Sequence, residues 1–188
     1  MKPHTDIAAV NFPIRSDPPG LEVQGTSLRH ACPNDIAFLL ELYASFRSDE
    51  LAAVPWSPEQ KQAFLEQQFI AQHRHYRSVY SEVDYLVVEI GDKPVGRLYL
   101  DAVKERWLIV DIGFLPEWRR QGKGTALLTA IQREATTSEA CVLTLHVEQR
   151  NCRAQALYQR LGFRGINDVG SHIKMEWSPG DFDGAKRR

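Results

Sequence analysis

Apolar positions along this chain follow two periods, and the change from one to the other marks out the elements. Ile36, Leu39, Leu40 and Tyr43 are spaced by three and four, which predicts a helix starting near Pro33-Asn34-Asp35. A second helix starts at Ser57-Pro58-Glu59-Gln60, with Ser as N-cap, Pro at the first helical position and Gln three residues after the Ser. Its stripe of Leu65, Phe69, His73, Tyr76 and Tyr80 carries the helix to about Tyr80. Beyond that point short β-rich runs take over. Tyr85 to Ile90 and Val95 to Asp101 are joined by Gly91-Asp92 and predict a hairpin. After Lys104-Glu105-Arg106 comes a third strand, Trp107 to Leu115. The helical period returns over Thr125 to Ala135, with Leu127, Leu128 and Ile131 on one side. Then follow a strand (Cys141 to Val147), a helix (Cys152 to Leu161) and two closing segments, Phe163 to Asn167 and His172 to Trp177. A short strand, Ser27 to Ala31, precedes the first helix.

A run of antiparallel strands followed by strand-helix-strand-helix alternation predicts an α/β (α+β) fold: a mixed, mostly antiparallel central sheet with helices on both faces. Residues 1–25 lack periodicity and contain Pro3, Pro13, Pro18, Pro19 and Gly20, so they read as an extended, flexible arm. Residues 26–178 form the single domain, and residues 179–188 a flexible tail. At 43% apolar residues, a chain of 188 can bury a sizeable core. Its formal net charge of −1, with no basic run longer than Lys186-Arg187-Arg188, argues against nucleic acid as a partner. No long apolar stretch occupies Met1 to Val10, so neither a leader nor a membrane span is expected, and the cytoplasm is the default location. Cys32, Cys141 and Cys152 are odd in number and widely spaced, which fits neither a disulfide framework nor a zinc site. His73 and His75, two apart on a helix, do not share a face and make no metal pair.

The chemistry concentrates in Arg119-Arg120-Gln121-Gly122-Lys123-Gly124, placed between a strand and a helix. Two glycines let backbone approach a ligand, and the free N–H groups of the new helix point at negative charge. A Walker A loop would need Gly at position 117 and Ser or Thr at 124, where this chain has Glu117 and Gly124. The dinucleotide fingerprint needs a third Gly where Leu127 stands. Arg-x-x-Gly-x-Gly does fit. A second segment, Asn151 to Phe163, reads Asn-x-x-Ala-x-x-Leu-Tyr-x-x-x-Gly-Phe. Ala154, Leu157, Tyr158 and Leu161 share one helix face, Asn151 suits the N-cap and Gly162 the C-terminal stop.

These two motifs, in this order, resemble the GNAT (Gcn5-related) N-acetyltransferases, specifically from about Val95 to Trp177. The resemblance implies an acetyl-CoA-dependent enzyme without metal, acting on an amine by direct attack in a ternary complex; it allows a homodimer. It implies that Arg119, Arg120, Gln121, Gly122, Lys123, Gly124 and Thr125 hold the pyrophosphate. Backbone groups of Ile112, Gly113 and Phe114 would bond the pantetheine arm and supply the oxyanion donor, with Asn151 bonding pantetheine or phosphate. Gly113 in mid-strand further suggests a bulge or a close ligand approach. Tyr158 matches the tyrosine that protonates the departing thiolate, and its place in the Leu-Tyr pair of the motif favours that role over a core tyrosine on an apolar helix face. The candidate base is His146, which faces opposite to Leu145 and Val147 and is of a residue type that titrates near neutrality; a hydrogen-bonded structural histidine is an equal reading. Glu148 and Asp111 are alternatives, although strict alternation puts Asp111 opposite to Val110 and Ile112, on the sheet face away from the acceptor. In this family the first two helices border the acceptor pocket, which gives the Leu65-to-Tyr80 stripe a second reading beside that of a core face. A non-catalytic acyl-CoA-binding module on the same fold is the rival.

Overall fold

In the computed structural model, residues 10–15, 19–103, 105–140 and 142–179 are described; expectations for the arm before Val10 and the tail after Pro179 lie outside them. Among the described residues seven strands form one sheet in the order β1-β2-β3-β4-β5-β7-β6. These are β1 Ser27–His30, β2 Asp84–Ile90, β3 Lys93–Asp101, β4 Arg106–Phe114, β5 Val142–Glu148, β6 Arg164–Val169 and β7 His172–Trp177. Every neighbouring pair is antiparallel except β4 and β5. That exception follows from the connection, because α3 (Lys123–Thr137) carries the chain back across the sheet between them.

Two apolar clusters lie on opposite faces. One joins Leu86, Leu98, Ile109 and Leu145 to Leu127, Leu128 and Ile131 of α3 and to Tyr158 of α4 (Cys152–Arg160). The other joins Val87 and Tyr99 to Leu39 and Tyr43 of α1 (Ile36–Ala52) and to Phe69 and Ile70 of α2 (Pro58–Val79). Helices thus cover both faces. Local sequence explains the helix ends: Ser57 Oγ accepts from the Gln60 N–H at 3.3 Å, and Gln60 Oε1 accepts from the Ser57 N–H at 2.9 Å. A cap of this kind contributes about 1 kcal/mol.

Residues 10–15 of the arm pack on the domain. Val10 is buried in the second cluster, Phe12 packs edge-on against His73 and Tyr85, and the His73 imidazole donates from Nε2 to the Asn11 carbonyl at 2.8 Å. Residues 10–15 are therefore a strap held on α2. The stripe on α2 is largely a core face, with Phe69 and His73 buried and Tyr76 reaching the sheet.

Candidate active site

The two halves of the sheet part company at its centre. Pairing of β4 with β5 runs from Arg106↔Val142 to Ile109↔Leu145 and stops. Beyond it β4 follows β3, ending at Phe114↔Gly96, while β5 follows β7, with His146↔Lys174 and Glu148↔His172. A wedge-shaped gap opens between residues 110–114 and 146–148. Its cause lies in β4. Val110 is the extra residue of a bulge between Tyr99↔Asp111 and Leu100↔Ile109, and a bulge bends its strand. Of the two readings of Gly113, a bulge or a close ligand approach, the bulge lies at Val110 instead.

The bulge also corrects the placement of Asp111. By inserting a residue it turns Asp111 onto the α1/α2 face, alongside Arg97 and Tyr99 of β3. There the carboxylate accepts from Arg97 Nη2 at 2.7 Å, from Arg97 Nε at 3.1 Å and from the Tyr76 hydroxyl at 3.2 Å. The Arg97 side chain is 1% exposed, so this is a buried pair. Burial together with the Asp111 charge pushes Tyr76 well above the ordinary phenol range.

Gly113 has no room for a side chain on this face of the sheet. Its backbone is in register opposite Arg97, and a Cβ there would stand 3.0 and 3.2 Å from Cε1 and Cε2 of Phe46, with Cζ closer still. The ring of Phe46, from α1, lies against this backbone. One side of its environment is the Arg97 guanidinium, 5.6 Å from the ring centroid, and another the Arg119 guanidinium, at 5.2 Å. Arg119 is itself fixed, donating from Nε to the Phe114 carbonyl at 2.7 Å and from Nη2 to Ser45 Oγ at 2.8 Å. Ile112 and Phe114 point their side chains into the first core cluster.

At the end of β4 a single 3-10 turn, Pro116–Trp118, delivers the chain to the basic loop. Arg120 and Gly122 have φ of 62° and 76°, in the left-handed region, where Gly is the natural occupant and Arg is strained. Gln121 Nε2 donates to the Glu117 carbonyl at 2.6 Å. The helix then starts at Lys123, two residues earlier than its apolar pattern indicates, and its N-cap Gly122 supplies no side chain to the first turn. The opening N–H groups, from Lys123, Gly124 and Thr125, are free for an anion. A Cβ on Gly124 would make only ordinary van der Waals contact with Leu157 at 3.8 Å and Phe114 at 4.0 Å, so packing of the chain alone does not demand glycine there. The loop therefore fits a pyrophosphate by its backbone, with Arg120 and Lys123 adding charge.

On the other side of the gap, Asn151 caps α4, its Oδ1 accepting from the Ala154 N–H at 3.0 Å. Tyr158 is buried against Phe163, ring centroids 5.8 Å apart. Burial first, and the Asp111 charge second, push its phenol up to about 12. His146 is exposed on the α1/α2 face; burial of part of the ring, then Lys174 and His172, lower its pKa, so the imidazole is neutral at neutral pH. Glu148 is held below the usual carboxylate range, chiefly by its hydrogen bond from Arg150 Nε at 2.9 Å. It also pairs with Arg47 at 3.6 Å, while Arg150 pairs with Glu50. These ion pairs tie the end of α1 to the end of β5, so α1 is anchored on both walls of the gap. Among the described residues no group of His, Cys, Asp and Glu could hold a metal, and no helix is long and apolar enough to cross a membrane.

Phe46, Arg47, Arg97 and Arg150 were not singled out by the sequence. A signal existed for Phe46, which continues the Ile36-Leu39-Leu40-Tyr43 stripe by one more turn. None existed for Arg97, whose partner lies on the next strand beyond a bulge.

The family model for the acetyltransferase (GNAT) family matches residues 39–163. Among solved structures the fold is similar to the PaiA N-acetyltransferase of Thermoplasma acidophilum in complex with coenzyme A, at 16% identity and a TM-score of 0.62, covering 81% of this chain and 98% of that one. It is similar to the ribosomal-protein-S18-alanine N-acetyltransferase of Escherichia coli, at 20% identity and a TM-score of 0.56, covering 81% and 93%. A third is the spermidine N-acetyltransferase of Vibrio cholerae in complex with CoA and spermine, at 16% identity and a TM-score of 0.57, covering 85% and 99%. At these identities the likeness establishes the fold. No curated protein sequence matches the chain.

Proposed function

The chain belongs to the GNAT acetyltransferase family, and from that premise we propose that it transfers an acetyl group from acetyl-CoA to an amine by direct attack in a ternary complex. One observation carries the reading: the gap between β4 and β5 opens beside the uncapped, basic start of α3. A thioester seated in the gap then has its pyrophosphate on the loop. The backbone N–H groups of Lys123, Gly124 and Thr125 hold that anion, with Arg120 and Lys123 alongside.

The residues divide the chemistry between them. The acceptor nitrogen attacks the thioester carbonyl carbon, a C–N bond forms, and the C–S bond breaks. An N–H of the β4 segment Ile112 to Phe114 bonds the developing oxyanion, where fixed donors act most strongly. His146, neutral and open to solvent, takes the ammonium proton directly or through one water. Glu148 is a poorer base, because its hydrogen bond from Arg150 holds it below the usual carboxylate range. Tyr158 gives its proton to the departing sulfur. Against a thiolate of ordinary pKa that transfer would cost about 5 kcal/mol. The thiolate is formed in the same dry site, however, and burial raises its basicity as it raises that of the phenol.

Screening amines of several classes (amino acids, polyamines, peptides with free N-termini) for CoA release and acetylated product tests the reading. Acetyl-CoA at one hundred times its dissociation constant should stabilise the protein by about 2.7 kcal/mol. Gly124→Glu should abolish this gain by placing negative charge in the cradle. Equal stabilisation of the two proteins would remove the loop from the binding site.

A further inference from the structure

We infer that Phe46 sets the length of the acyl group this site accepts, confining it to acetyl. The inference rests on the acetyl-CoA reading above, which puts the thioester carbonyl beside the β4 backbone at residues 112–114. The Phe46 ring lies against that backbone at Gly113, so closely that no Cβ fits between them. It is a wall rather than core: 37% of the residue is exposed, whereas neighbouring Tyr43 on α1 is 5% exposed.

The ring is also held from moving aside. Arg97 and Arg119 place their guanidinium carbons 5.6 and 5.2 Å from its centroid. Arg97 is immobilised by its two bonds to Asp111, and Arg119 by its bonds to the Phe114 carbonyl and Ser45. Arg47, adjacent to Phe46, and Glu50, one turn further along α1, are ion-paired across the gap to Glu148 and Arg150. An acyl chain longer than acetyl, extending from the carbonyl onto the α1 side of Gly113, meets a fixed aromatic face. Swinging the ring away means breaking both stacking interactions and uncoupling α1 from β4. The bare backbone at Gly113 belongs to the same device, since a side chain there would displace the ring.

The test uses binding, so it needs no acceptor. Dissociation constants of the full chain are measured for CoA, acetyl-CoA, propanoyl-CoA and butanoyl-CoA, in wild type and Phe46→Ala. One misfitting methylene typically changes recognition by about 10- to 200-fold, so wild type should bind butanoyl-CoA at least about tenfold more weakly than acetyl-CoA. In Phe46→Ala the two should come within about threefold of each other, with CoA itself bound as in wild type. Should the alanine variant not fold, Phe46→Leu carries the same test, with propanoyl-CoA gaining relative to acetyl-CoA. Wild type binding acetyl- and butanoyl-CoA equally, or a variant keeping the full discrimination, would overturn the inference. Failure of wild type to bind CoA and acetyl-CoA at all would instead overturn the acetyl-CoA reading beneath it.

Discussion

Replacing Gly113 with Ala is a one-methyl change whose cost is set by Phe46. The new Cβ would stand 3.0 and 3.2 Å from two ring carbons and nearer to a third, so the ring must move. Overpacking of this kind costs about 1–3 kcal/mol. Movement of the ring also disrupts its stacking on two guanidinium groups, at 5.2 and 5.6 Å, each interaction worth about 0.5–1 kcal/mol at a half-exposed site. That disruption is one form the overpacking strain takes rather than an addition to it, which sets the expected destabilisation at about 1.5–3 kcal/mol. In a Phe46→Ala background the obstruction is gone. Gly113 is not in the left-handed region, and Ala then loses less backbone entropy on folding than Gly, by about 0.4–1 kcal/mol. The same substitution should therefore turn neutral or stabilising. Urea unfolding of the four proteins gives the coupling from the shift in midpoint at constant slope, with an expected coupling of about 2 kcal/mol. Additivity within about 0.5 kcal/mol would mean that Phe46 does not rest on Gly113 in solution.

The polar and charged groups lead to four more expectations. Asp111→Asn leaves a buried, unpaired Arg97 and should cost about 3–5 kcal/mol in urea unfolding; Tyr76→Phe removes one donor to that carboxylate and should cost about 1 kcal/mol. His146 has its pKa lowered from 6.5 by burial and two cationic neighbours, so kcat/KM should rise with pH along a limb centred below 6.5. That limb should vanish in His146→Gln, and an unchanged profile would transfer the role to another group. His73 likewise has a folded pKa below 6.5, through burial and then Arg77 and Arg97. The unfolded chain therefore takes up that proton first, and stability is full above about pH 6.5 and falls as pH drops through it. His73→Gln should flatten this acid slope in thermal unfolding between about pH 7 and 5, and an unaltered slope would clear His73 of it.

Legibility in the sequence followed how local each feature is. The basic loop and the Asn151-to-Phe163 helix are continuous segments, with caps, glycines and apolar spacing all within a dozen residues, and both stand where the pattern put them. The seven strands and the capping box at Ser57 were readable for the same reason. The bulge at Val110 was not, because Val110-Asp111-Ile112 reads as unbroken alternation, and only pairing with β3 reveals the extra residue. Asp111 was assigned to the opposite face in consequence. Val10 and Phe12 follow no period, since a strap without regular structure has none, so their burial against α2 left no trace in the sequence. The need for glycine at position 113 depends on a ring 67 positions earlier, and no reading of β4 alone contains it.

The proposed movement of an acetyl group from acetyl-CoA to an amine, with Tyr158 as the acid, is tested most directly by following the acetyl carbons themselves. Acetyl-CoA labelled in those carbons is incubated with an amine panel and either wild type or Tyr158→Phe, and the label is sought in an amide. The expected result is a labelled amide from wild type, formed about a hundredfold more slowly by the variant, while both bind acetyl-CoA equally. Equal rates from the two proteins would contradict the role of Tyr158, and acetyl-CoA bound with no label reaching any amine would contradict transfer itself.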